Sequence, residues 1–367
     1  MRVGLVVYGD ISTRSGGFRY DRRLVTSLRE RGDEVAVIEL PWRSYPRGLL
    51  DNADPRVADR IARAGPFDVL LQDELAHPSL VATNRRLRSR LDCPLVGVVH
   101  HLRADETAGP ERRAFAATER RYIETLDAVV ANSEPTLESV RELAPVEGIV
   151  APPAGDRFDP DIDSAFVRER ARDDPPRVLA LGTVVPRKAT AALVDGLAAA
   201  RDSWQLTVVG DTTVAPEYVR RCRRLADRRG VADRVTFAGG VDDDALAVRL
   251  RASNVLALPS RHEGFGIAYL EGMAFGLPAV ASLAGGGRSV VTHDETGFLV
   301  PPAGAGAVAA ALDRLAGDRD ALAAMGVAAR RRFEAHPGWA ETTGRVRSFL
   351  VEVAGAEQES AAPEVGA

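Results

Sequence analysis

Lysine is nearly absent from this sequence, since Lys188 is the one lysine among 48 basic residues. Cysteine is also scarce: Cys93 and Cys222 lie far apart, without the close spacing of a disulfide framework or of metal ligands. No apolar run approaches the roughly 20 residues that cross a bilayer. The first predicted strand begins almost at Met1, which leaves no room for a signal peptide. We therefore predict a cytoplasmic protein with reduced cysteines.

A large excess of charge of either sign is missing as well. The formal net charge is −4, with 25 basic and 28 acidic residues over 1–170, and 23 and 24 over 171–367. Neither half has the basic excess that binds phosphate backbones, so we predict no nucleic-acid partner. At 367 residues, the chain is long enough for two domains of ordinary size.

Short apolar runs alternate with helical patterns, and the alternation restarts near the middle of the chain. This order is typical of βα units with parallel sheets and helices on both faces. We predict an α/β protein with two doubly wound, Rossmann-like domains over 1–170 and 171–338, which face each other across a cleft. The proline-rich stretch Pro152–Pro176 would join them. A helix is expected over 339–353, and the small, acidic end over 354–367 is expected to be disordered.

The predicted strands are apolar runs bounded by polar or glycine-rich segments. They are Val3–Tyr8, Val35–Leu40, Val69–Gln72, Leu95–His100, Ala128–Ala131, Gly148–Ala151, Arg177–Leu181, Gln205–Val209, Val235–Ala238, Val255–Leu258 and Ala279–Ala281. Ligands of doubly wound sheets bind beyond the carboxyl ends of the strands, so residues that follow these runs are the candidates for a site.

The strongest functional signal is the segment 260–280, which reads SRHEGFGIAYLEGMAFGLPAV. Glu263 lies in a glycine-rich loop, and Glu271 lies on the helix predicted to follow. A loop that leads into a helix presents backbone N–H groups and the positive end of the helix dipole, which favour a phosphate. Carboxylates would repel the phosphate and accept hydrogen bonds from hydroxyls, and a nucleotide-sugar carries both groups. We predict Glu263 as a catalytic residue and the following donor-binding residues: Gly264, Phe265, Gly266, Ile267 and Glu271.

A second candidate site follows the strand Arg177–Leu181, where Gly182 leaves space for a ligand. Arg187 and Lys188 then place two cations near the carboxyl end of this strand. A departing nucleoside diphosphate gains negative charge in the transition state, and fixed cations there would stabilise it. The chain uses arginine at every other basic position, so its one lysine indicates that a compact ammonium group is needed at position 188. We predict Gly182 as donor-binding, and Arg187 and Lys188 as catalytic.

In the first half, Gly16 and Gly17 follow the first strand and open a helix, which suits a phosphate or sugar near backbone N–H groups. The loop is not G-x-G-x-x-G, which argues against a dinucleotide-dependent dehydrogenase. His100 stands at the carboxyl end of a predicted strand, where ligands bind. We predict Gly16 and Gly17 as donor-binding and His100 as catalytic, with His101 as the neighbouring alternative.

The spacing of Glu263 and Glu271 resembles the Glu-x7-Glu signature of glycosyltransferase family 4, a family of retaining transferases with the GT-B fold. The glycine loop, His100, the strand end Ala131–Ser133 and the turn Pro186–Lys188 also fall in the order of this family. The resemblance therefore covers nearly the whole chain.

The resemblance implies an acceptor-binding first domain and a second domain that binds a nucleotide-sugar donor. It further implies that Glu263 contacts sugar hydroxyls, that Glu271 contacts the ribose, and that Lys188 and Arg187 contact the diphosphate. His100 would contact the transferred hexose, and the terminal helix would pack back on the first domain. Transfer in this family proceeds with retention and usually without a metal, so the donor is a substrate and no cofactor is expected.

Three other functions stay open. A hydrolase also uses two carboxylates, but a mostly helical path puts the Cα atoms of Glu263 and Glu271 roughly 12 Å apart. The carboxyl groups of glycosidases lie about 5 to 9.5 Å apart, and the phosphate-binding features would have no use in such an enzyme. A nucleotide-sugar epimerase on the same fold would act on the donor alone, and a non-catalytic protein would bind a nucleotide or carbohydrate without turnover.

Three further features bear on metal and partners. Asp161 and Asp163 match the metal-binding D-x-D of the other glycosyltransferase fold, but they lie in the join, so we assign no metal. Thr183 stands where the family commonly has arginine, and Arg187 is expected to supply that charge. Arginines at 85, 86, 88 and 90 form either a solvated helix face or a peripheral contact with anionic lipid at the inner face of a membrane. The acceptor stays open among a glycan, a lipid and a small molecule.

Overall fold

The computed structural model describes residues 1–13, 15–107 and 109–361. The chain separates into two compact units. The first unit contains Met1–Pro153 together with the segment that begins at Trp339, and the second contains Ala154–Gly338. Among the described residues, no helix is both long and apolar enough to cross a bilayer.

The first unit is built on a sheet of six parallel strands. They are β1 (Arg2–Tyr8), β2 (Glu34–Leu40), β3 (Val69–Asp73), β4 (Leu95–Val99), β5 (Ala128–Ala131) and β6 (Glu147–Val150). Strands buried on both faces are typically apolar throughout, and in β1 every residue after Arg2 is buried. The order across the sheet is β2-β1-β3-β4-β5-β6. The chain therefore changes direction across the sheet between β1 and β3, which is a topological switch point.

Six helices of the first unit precede the join. They are α1 (Gly16–Glu30), α2 (Tyr45–Asp51), α3 (Pro55–Arg63), α4 (His77–Leu87), α5 (Gly109–Ile123) and α6 (Glu134–Leu143). Ser15 and Ser133 cap α1 and α6, because their hydroxyl oxygens accept hydrogen bonds from backbone N–H groups. Apolar side chains such as Leu80 and Tyr122 bury the inner helix faces in one core.

The second unit has its own sheet of six parallel strands. They are β7 (Arg177–Leu181), β8 (Gln205–Val209), β9 (Val235–Gly239), β10 (Val255–Leu258), β11 (Ala279–Ser282) and β12 (Gly297–Val300). The order across this sheet is β12-β11-β10-β7-β8-β9, so its switch point lies between β7 and β10. The predicted α/β fold with two doubly wound sheets is confirmed.

Eight helices cover the second sheet. They are α7 (Ser164–Arg170), α8 (Thr190–Ala199), α9 (Pro216–Arg228), α10 (Asp243–Ala252), α11 (Ile267–Ala274), α12 (Gly287–Val290), α13 (Ala305–Gly317) and α14 (Arg319–Glu334). Trp204 and Tyr269 are fully buried and are the largest side chains of this core. Gly272 of α11 lets the helix approach β10, since a Cβ there would lie 3.2 Å from the Cβ of Leu256.

The second unit begins at Ala154 rather than at residue 171, because α7 belongs to it. Val167 lies in the second core. The guanidinium of Arg170 donates hydrogen bonds to the carbonyls of Phe275 at 2.9 Å and Gly276 at 2.8 Å. These buried contacts tie the proline-rich join to the second unit.

The terminal helix α15 (Trp339–Ala361) belongs to the first unit. Thr343 and Ser27 of α1 share a hydrogen bond of 2.7 Å, and Arg347 donates to Asp33 at 2.6 and 3.0 Å. The helix extends to Ala361, since alanine, glutamate and glutamine there favour its continuation, and the disorder expected over 354–367 stays a prediction. Residues 362–367 lie outside the described part of the chain.

Candidate functional site

Polar and charged side chains collect at the switch point of each sheet, where the carboxyl ends of two strands diverge. In the second unit, the segments after β7 and β10 supply Lys188 and Glu263. In the first unit, whose switch point lies between β1 and β3, α1 and the end of β3 supply Asp21 and Asp73, and His100 follows the adjacent β4. These are the positions at which doubly wound folds bind their ligands.

Lys188 and Glu263 form a close ion pair in the second unit. The ammonium of Lys188 donates to both carboxylate oxygens, at 2.8 Å to Oε1 and 2.7 Å to Oε2. The hydroxyl of Ser260 donates to Oε2 at 3.0 Å. The two charged side chains are 14 % and 12 % exposed, so the pair is largely removed from solvent. The lone lysine therefore contacts the first glutamate of the Glu-x7-Glu motif directly.

The charge state of Glu263 follows from these partners. Burial opposes its ionisation and is the largest single influence, but Lys188, Arg187 and Ser260 together outweigh it and lower the pKa of Glu263. The side chain is therefore a carboxylate at neutral pH, which can only accept hydrogen bonds. An ammonium has three donors, and two of those on Lys188 are directed at Glu263.

The 3₁₀ turn Pro186–Lys188 is tied to the segment after β10. Arg187 donates to the carbonyl of His262 at 2.9 Å, and the N–H of Arg261 donates to the carbonyl of Arg187 at 2.7 Å. Gly182 has φ of +134°, and a Cβ there would lie 3.2 Å from Cε of Lys188. Glycine at this position thus keeps the lysine side chain in place beside the end of β7.

Glycine-rich turns enclose the loop Gly264–Ile267 at the start of α11. Gly285, with φ of +81°, lies against the backbone of Glu263, and a Cβ there would come within 2.0 Å of its carbonyl oxygen. The N–H of Gly286 donates to that same carbonyl at 2.7 Å. The residue before α11, Gly266, has φ of +97° and provides no side-chain cap. The backbone N–H groups of this helix start are therefore not engaged by a capping side chain, as an anion-binding helix requires.

Glu271 lies on α11 and is 2 % exposed. Nη1 of Arg157 lies 3.6 Å from its Oε1, and the same guanidinium forms a bidentate ion pair with Asp243. Arg157 was not predicted from the sequence. It stands in the proline-rich join among other charged residues, where no local pattern sets it apart.

Two of the predicted site residues of the first unit, Gly17 and His100, are neighbours. Gly16 and Gly17 form the first turn of α1, and a Cβ on Gly17 would lie 3.1 Å from Cδ2 of His100. His100 is 7 % exposed, and the amide of Asn132 donates to its carbonyl at 2.6 Å. Packing against the imidazole is thus a physical reason for glycine at position 17. Both predicted donor-binding glycines lie in the first unit, unlike the others, which lie in the second.

Three buried carboxyl groups surround His100, and none was predicted from the sequence. Asp21 lies on α1, Asp73 ends β3, and Glu74 follows it. Nε2 of His100 lies 3.4 Å from Oδ1 of Asp21, and Oε2 of Glu74 accepts from the N–H of His100 at 3.0 Å. His101, the alternative to His100, is 28 % exposed at its side chain and lies 3.6 Å from Glu74.

Burial shifts these groups toward their neutral forms. It raises the pKa of Asp21 to about 7, although the nearby Asp73 carboxyl, which could share a proton with it, and the charge of Arg22 act in the opposite direction. Burial and the charge of Asp21 raise the pKa of Asp73 well above its usual range. Burial and the charge of Asp73 do the same for Glu74, and burial lowers the pKa of His100. This part of the first unit is therefore acidic in composition and weakly ionised.

Among the described residues, one group has the composition and proximity of metal ligands: Asp21, Asp73 and His100. The ligand atoms of these three side chains lie within 4.8 Å of one another. Asp163 of the D-x-D sequence instead caps α7, because its Oδ1 accepts from the N–H of Phe166 at 2.7 Å. That role accounts for Asp163 without a metal.

Comparison with known proteins assigns both halves to one group of enzymes. Residues 13–153 match the family described as Glycosyltransferase Family 4, and residues 161–332 match that described as Glycosyl transferases group 1. A D-inositol 3-phosphate glycosyltransferase of Xylanimonas cellulosilytica is 31% identical over 377 residues, which cover 89% of each chain.

A second relative is matched over a shorter span. The GDP-mannose-dependent alpha-(1-6)-phosphatidylinositol monomannoside mannosyltransferase of Mycobacterium tuberculosis is 37% identical over 207 residues, which cover 53% of each chain. This chain therefore spans about half the length of that relative.

Solved structures share the architecture. Sucrose-phosphate synthase from Thermosynechococcus elongatus has a TM-score of 0.81 at 24% identity, over 97% of this chain and 99% of its own. Anabaena HepE in complex with UDP and glucose has a TM-score of 0.76 at 18% identity, over 96% and 100%. At such identities the likeness establishes the fold alone.

Proposed function

This chain belongs to glycosyltransferase family 4, and from that premise we propose that it transfers a hexose from a nucleotide-sugar to an acceptor with retention of configuration. The observation that carries the proposal is the pair of Lys188 and Glu263 at the switch point of the second sheet. It places a fixed cation beside a fixed carboxylate at the ligand-binding edge of the fold. A nucleotide-sugar offers a diphosphate to the cation and hydroxyls to the carboxylate.

We assign Lys188 and Arg187 to the leaving diphosphate. The ammonium of Lys188 has a third donor besides the two directed at Glu263, and the guanidinium of Arg187 is exposed. The bond between C1 of the hexose and the phosphate oxygen breaks, and a bond from C1 to the acceptor oxygen forms on the same face. The acceptor proton passes to the departing phosphate oxygen. The two cations stabilise the charge that develops on the diphosphate.

We assign Glu263 to the hydroxyls of the hexose and Glu271 to the ribose. The lowered pKa of Glu263 keeps it an acceptor for hydroxyl protons. The loop Gly264–Ile267 would receive phosphate oxygens at the uncapped start of α11. Gly182 would admit the donor beside Lys188.

We place the acceptor on the first unit, with His100 in contact with the transferred hexose, while donor contacts of Gly16 and Gly17 stay a prediction. The names of the two relatives support a phosphorylated cyclitol as acceptor, either free or in a lipid headgroup. The donor is a substrate, and we propose that no cofactor takes part in the transfer. A cytoplasmic location, with peripheral membrane contact for a lipid acceptor, agrees with the buried Cys93 and Cys222, which form no disulfide.

A panel of donors tests the proposal. Melting temperatures are measured with UDP, GDP, ADP and their hexose conjugates, because a ligand of the folded state raises its stability. We expect one base to give a clear shift that Arg187→Ala reduces. Arg220→Ala, which removes an exposed arginine of α9, serves as the matched control and should keep the full shift. The absence of a shift with every nucleotide would overturn the donor assignment.

Turnover and stereochemistry are tested next with the base so identified. The donor is incubated with inositol phosphates and with phosphatidylinositol vesicles, and the anomeric configuration of the product is read by NMR. Product with the donor's configuration supports retention, and inverted product would contradict it. Nucleotide release without an acceptor product would favour an epimerase.

A further inference from the structure

The buried carboxyl cluster around His100 is short of hydrogen-bond donors. Under ordinary protonation, five of its buried side-chain atoms have no hydrogen-bond partner among the described residues. They are both carboxylate oxygens of Asp21, Oδ2 of Asp73, Oε1 of Glu74 and Nε2 of His100. Buried polar atoms are nearly always paired, so this concentration requires an explanation.

No arginine or lysine of the described chain forms an ion pair with Asp21, Asp73 or Glu74. All three residues are at most 5 % exposed, so water cannot compensate their charges. A buried carboxylate without a cation is strongly destabilising, and two carboxylates in contact need positive charge between them. That charge is either a proton or a metal ion.

The geometry favours the metal ion. Nε2 of His100 and Oδ1 of Asp21 are 3.4 Å apart without forming a hydrogen bond. Two ligand atoms bound to one tetrahedral zinc ion, at about 2.1 Å each, are separated by about 3.4 Å. A proton shared by Asp21 and Asp73 would satisfy the contact between the carboxyl groups, but a second proton, between Asp21 and Nε2 of His100, would be needed to satisfy the imidazole.

We propose that Asp21, Asp73 and His100 bind one divalent cation of the zinc or manganese type. Two carboxylates and one imidazole form a mixed oxygen and nitrogen ligand set, which suits these ions. Two carboxylates also balance the charge of the ion.

Neighbouring groups hold two of the three ligands, Asp73 and His100, in position, as groups around metal ligands commonly do. The N–H of Leu75 donates to Oδ1 of Asp73 at 2.7 Å, and Oε2 of Glu74 accepts from the N–H of His100 at 3.0 Å. The cation would link α1 to the carboxyl ends of β3 and β4. It would be a structural ion of the first unit, whose connection with the glycosyl transfer proposed above is that it would hold the imidazole of His100 in position.

Metal content and metal affinity test the site. The full chain is purified without a histidine tag and analysed for bound metal by mass spectrometry, then stripped with EDTA and titrated with Zn²⁺ and Mn²⁺. We expect about one ion per chain and a rise of roughly 5 °C in melting temperature on adding Zn²⁺. Asp21→Asn and Asp73→Asn should each weaken Zn²⁺ binding at least about tenfold. Asp161→Asn removes an exposed acid of the second unit and should change neither value.

Three results would overturn the proposal. The first is a wild-type chain that binds no stoichiometric ion, and the second is an Asp21→Asn variant with unchanged Zn²⁺ affinity. The third is an Asp21→Asn variant that is as stable as the wild type when Zn²⁺ is present, a result that a shared proton would explain. Should a variant fail to fold, Co²⁺ added to the stripped wild type keeps the test decisive, because ligand-field bands report coordination directly. Nucleotide binding by the second unit is a separate readout, so a negative result leaves the transferase proposal intact.

Discussion

The two switch points place buried acids in opposite electrostatic surroundings. In the second unit, Glu263 has an ammonium and a hydroxyl as partners, and these lower its pKa despite burial. In the first unit, Asp21 and Asp73 have each other and an imidazole, and burial raises the pKa of both. The same fold edge thus holds one acid that is ionised and two that resist ionisation.

This difference shows that position in a doubly wound fold does not by itself determine the chemistry of a side chain. Both units bring residues after separate strands to one sheet edge, as the topology requires. The partner of a buried acid then determines its charge state. A fixed cation keeps the acid ionised as a carboxylate, which accepts hydrogen bonds, and an acid without such a cation needs a proton or a metal ion. Removing or adding one charged partner should therefore change whether a buried acid is ionised or neutral.

Replacing Lys188 by alanine should have the largest effect. Loss of the cation that we propose to contact the diphosphate should lower kcat by roughly a hundred- to a thousandfold, by analogy with the removal of one stabilising donor from an active site. The measurement is steady-state transfer with the donor that the melting-temperature panel identifies, and circular dichroism verifies the fold. Arg220→Ala is the control with an unchanged kcat. A Lys188→Ala enzyme with wild-type turnover would remove Lys188 from the mechanism.

The same substitution should destabilise the second unit by about 3 kcal/mol at pH 7, because it leaves the carboxylate of Glu263 buried without its partner. In the wild type the lowered pKa of Glu263 contributes stability above the usual carboxyl range, and acidification removes it. The loss in Lys188→Ala should therefore shrink as the pH falls and Glu263 becomes neutral. Hydrogen exchange of the second unit measures it.

The double variant Lys188→Ala, Glu263→Gln sharpens this result. Glutamine removes the unpaired charge, so part of the lost stability should return. If the double variant is less stable than Lys188→Ala alone, Glu263 is held by contacts other than the ion pair, and the electrostatic contrast between the two units would fail.

Changing Glu119 tests whether buried acids of the first unit resist ionisation. We expect the free energy of unfolding to change by roughly 2 kcal/mol. Glu119 lies on α5, and its burial raises its pKa to about 7. This happens although the backbone N–H groups of Arg103 and Ala104 donate hydrogen bonds to its carboxylate. An acid with a raised folded pKa stabilises the protein below its unfolded pKa, and that stability is lost as the pH rises through 7. Glu119→Gln should remove this loss and make the first unit more stable at pH 8.

Urea unfolding at pH 5 and pH 8, followed by hydrogen exchange in the first unit, checks this sign. The difference between variant and wild type isolates Glu119 from other groups that titrate in the same range. Stability differences that are equal at the two pH values would show that Glu119 does not resist ionisation.

The strands of this fold are largely predictable, because buried parallel strands are continuous apolar runs. The predicted Ala128–Ala131, Arg177–Leu181 and Val255–Leu258 agree with β5, β7 and β10 at both ends. β12 was missed, since its four residues, GFLV, begin with a glycine and precede two prolines and so resemble a loop.

The candidate site was predictable only where residues share a local pattern. Glu263 and Lys188 stood out by motif and composition, but their contact joins positions 75 apart and needs the β7–β10 neighbourhood. Asp21 and Asp73 gave no signal, because an acid on a helix and an acid at a strand end are ordinary features. What makes them unusual is burial without a cation, which is a property of the packed unit.

The smallest expected effect concerns the two helix starts. Ser15 caps α1 by accepting from the N–H of Phe18 at 3.1 Å, whereas Gly266 precedes α11 and provides no side-chain cap. Ser15→Ala should destabilise the first unit by about 1 kcal/mol, as loss of an N-cap usually does. Nucleotide affinity should not change, because the hydroxyl of Ser15 caps its own helix.

Ser89→Ala, which removes an exposed hydroxyl, is the control for both measurements. A drop in nucleotide affinity in Ser15→Ala would instead mean that the loop before Gly16 and Gly17 takes part in donor binding, as predicted from the sequence.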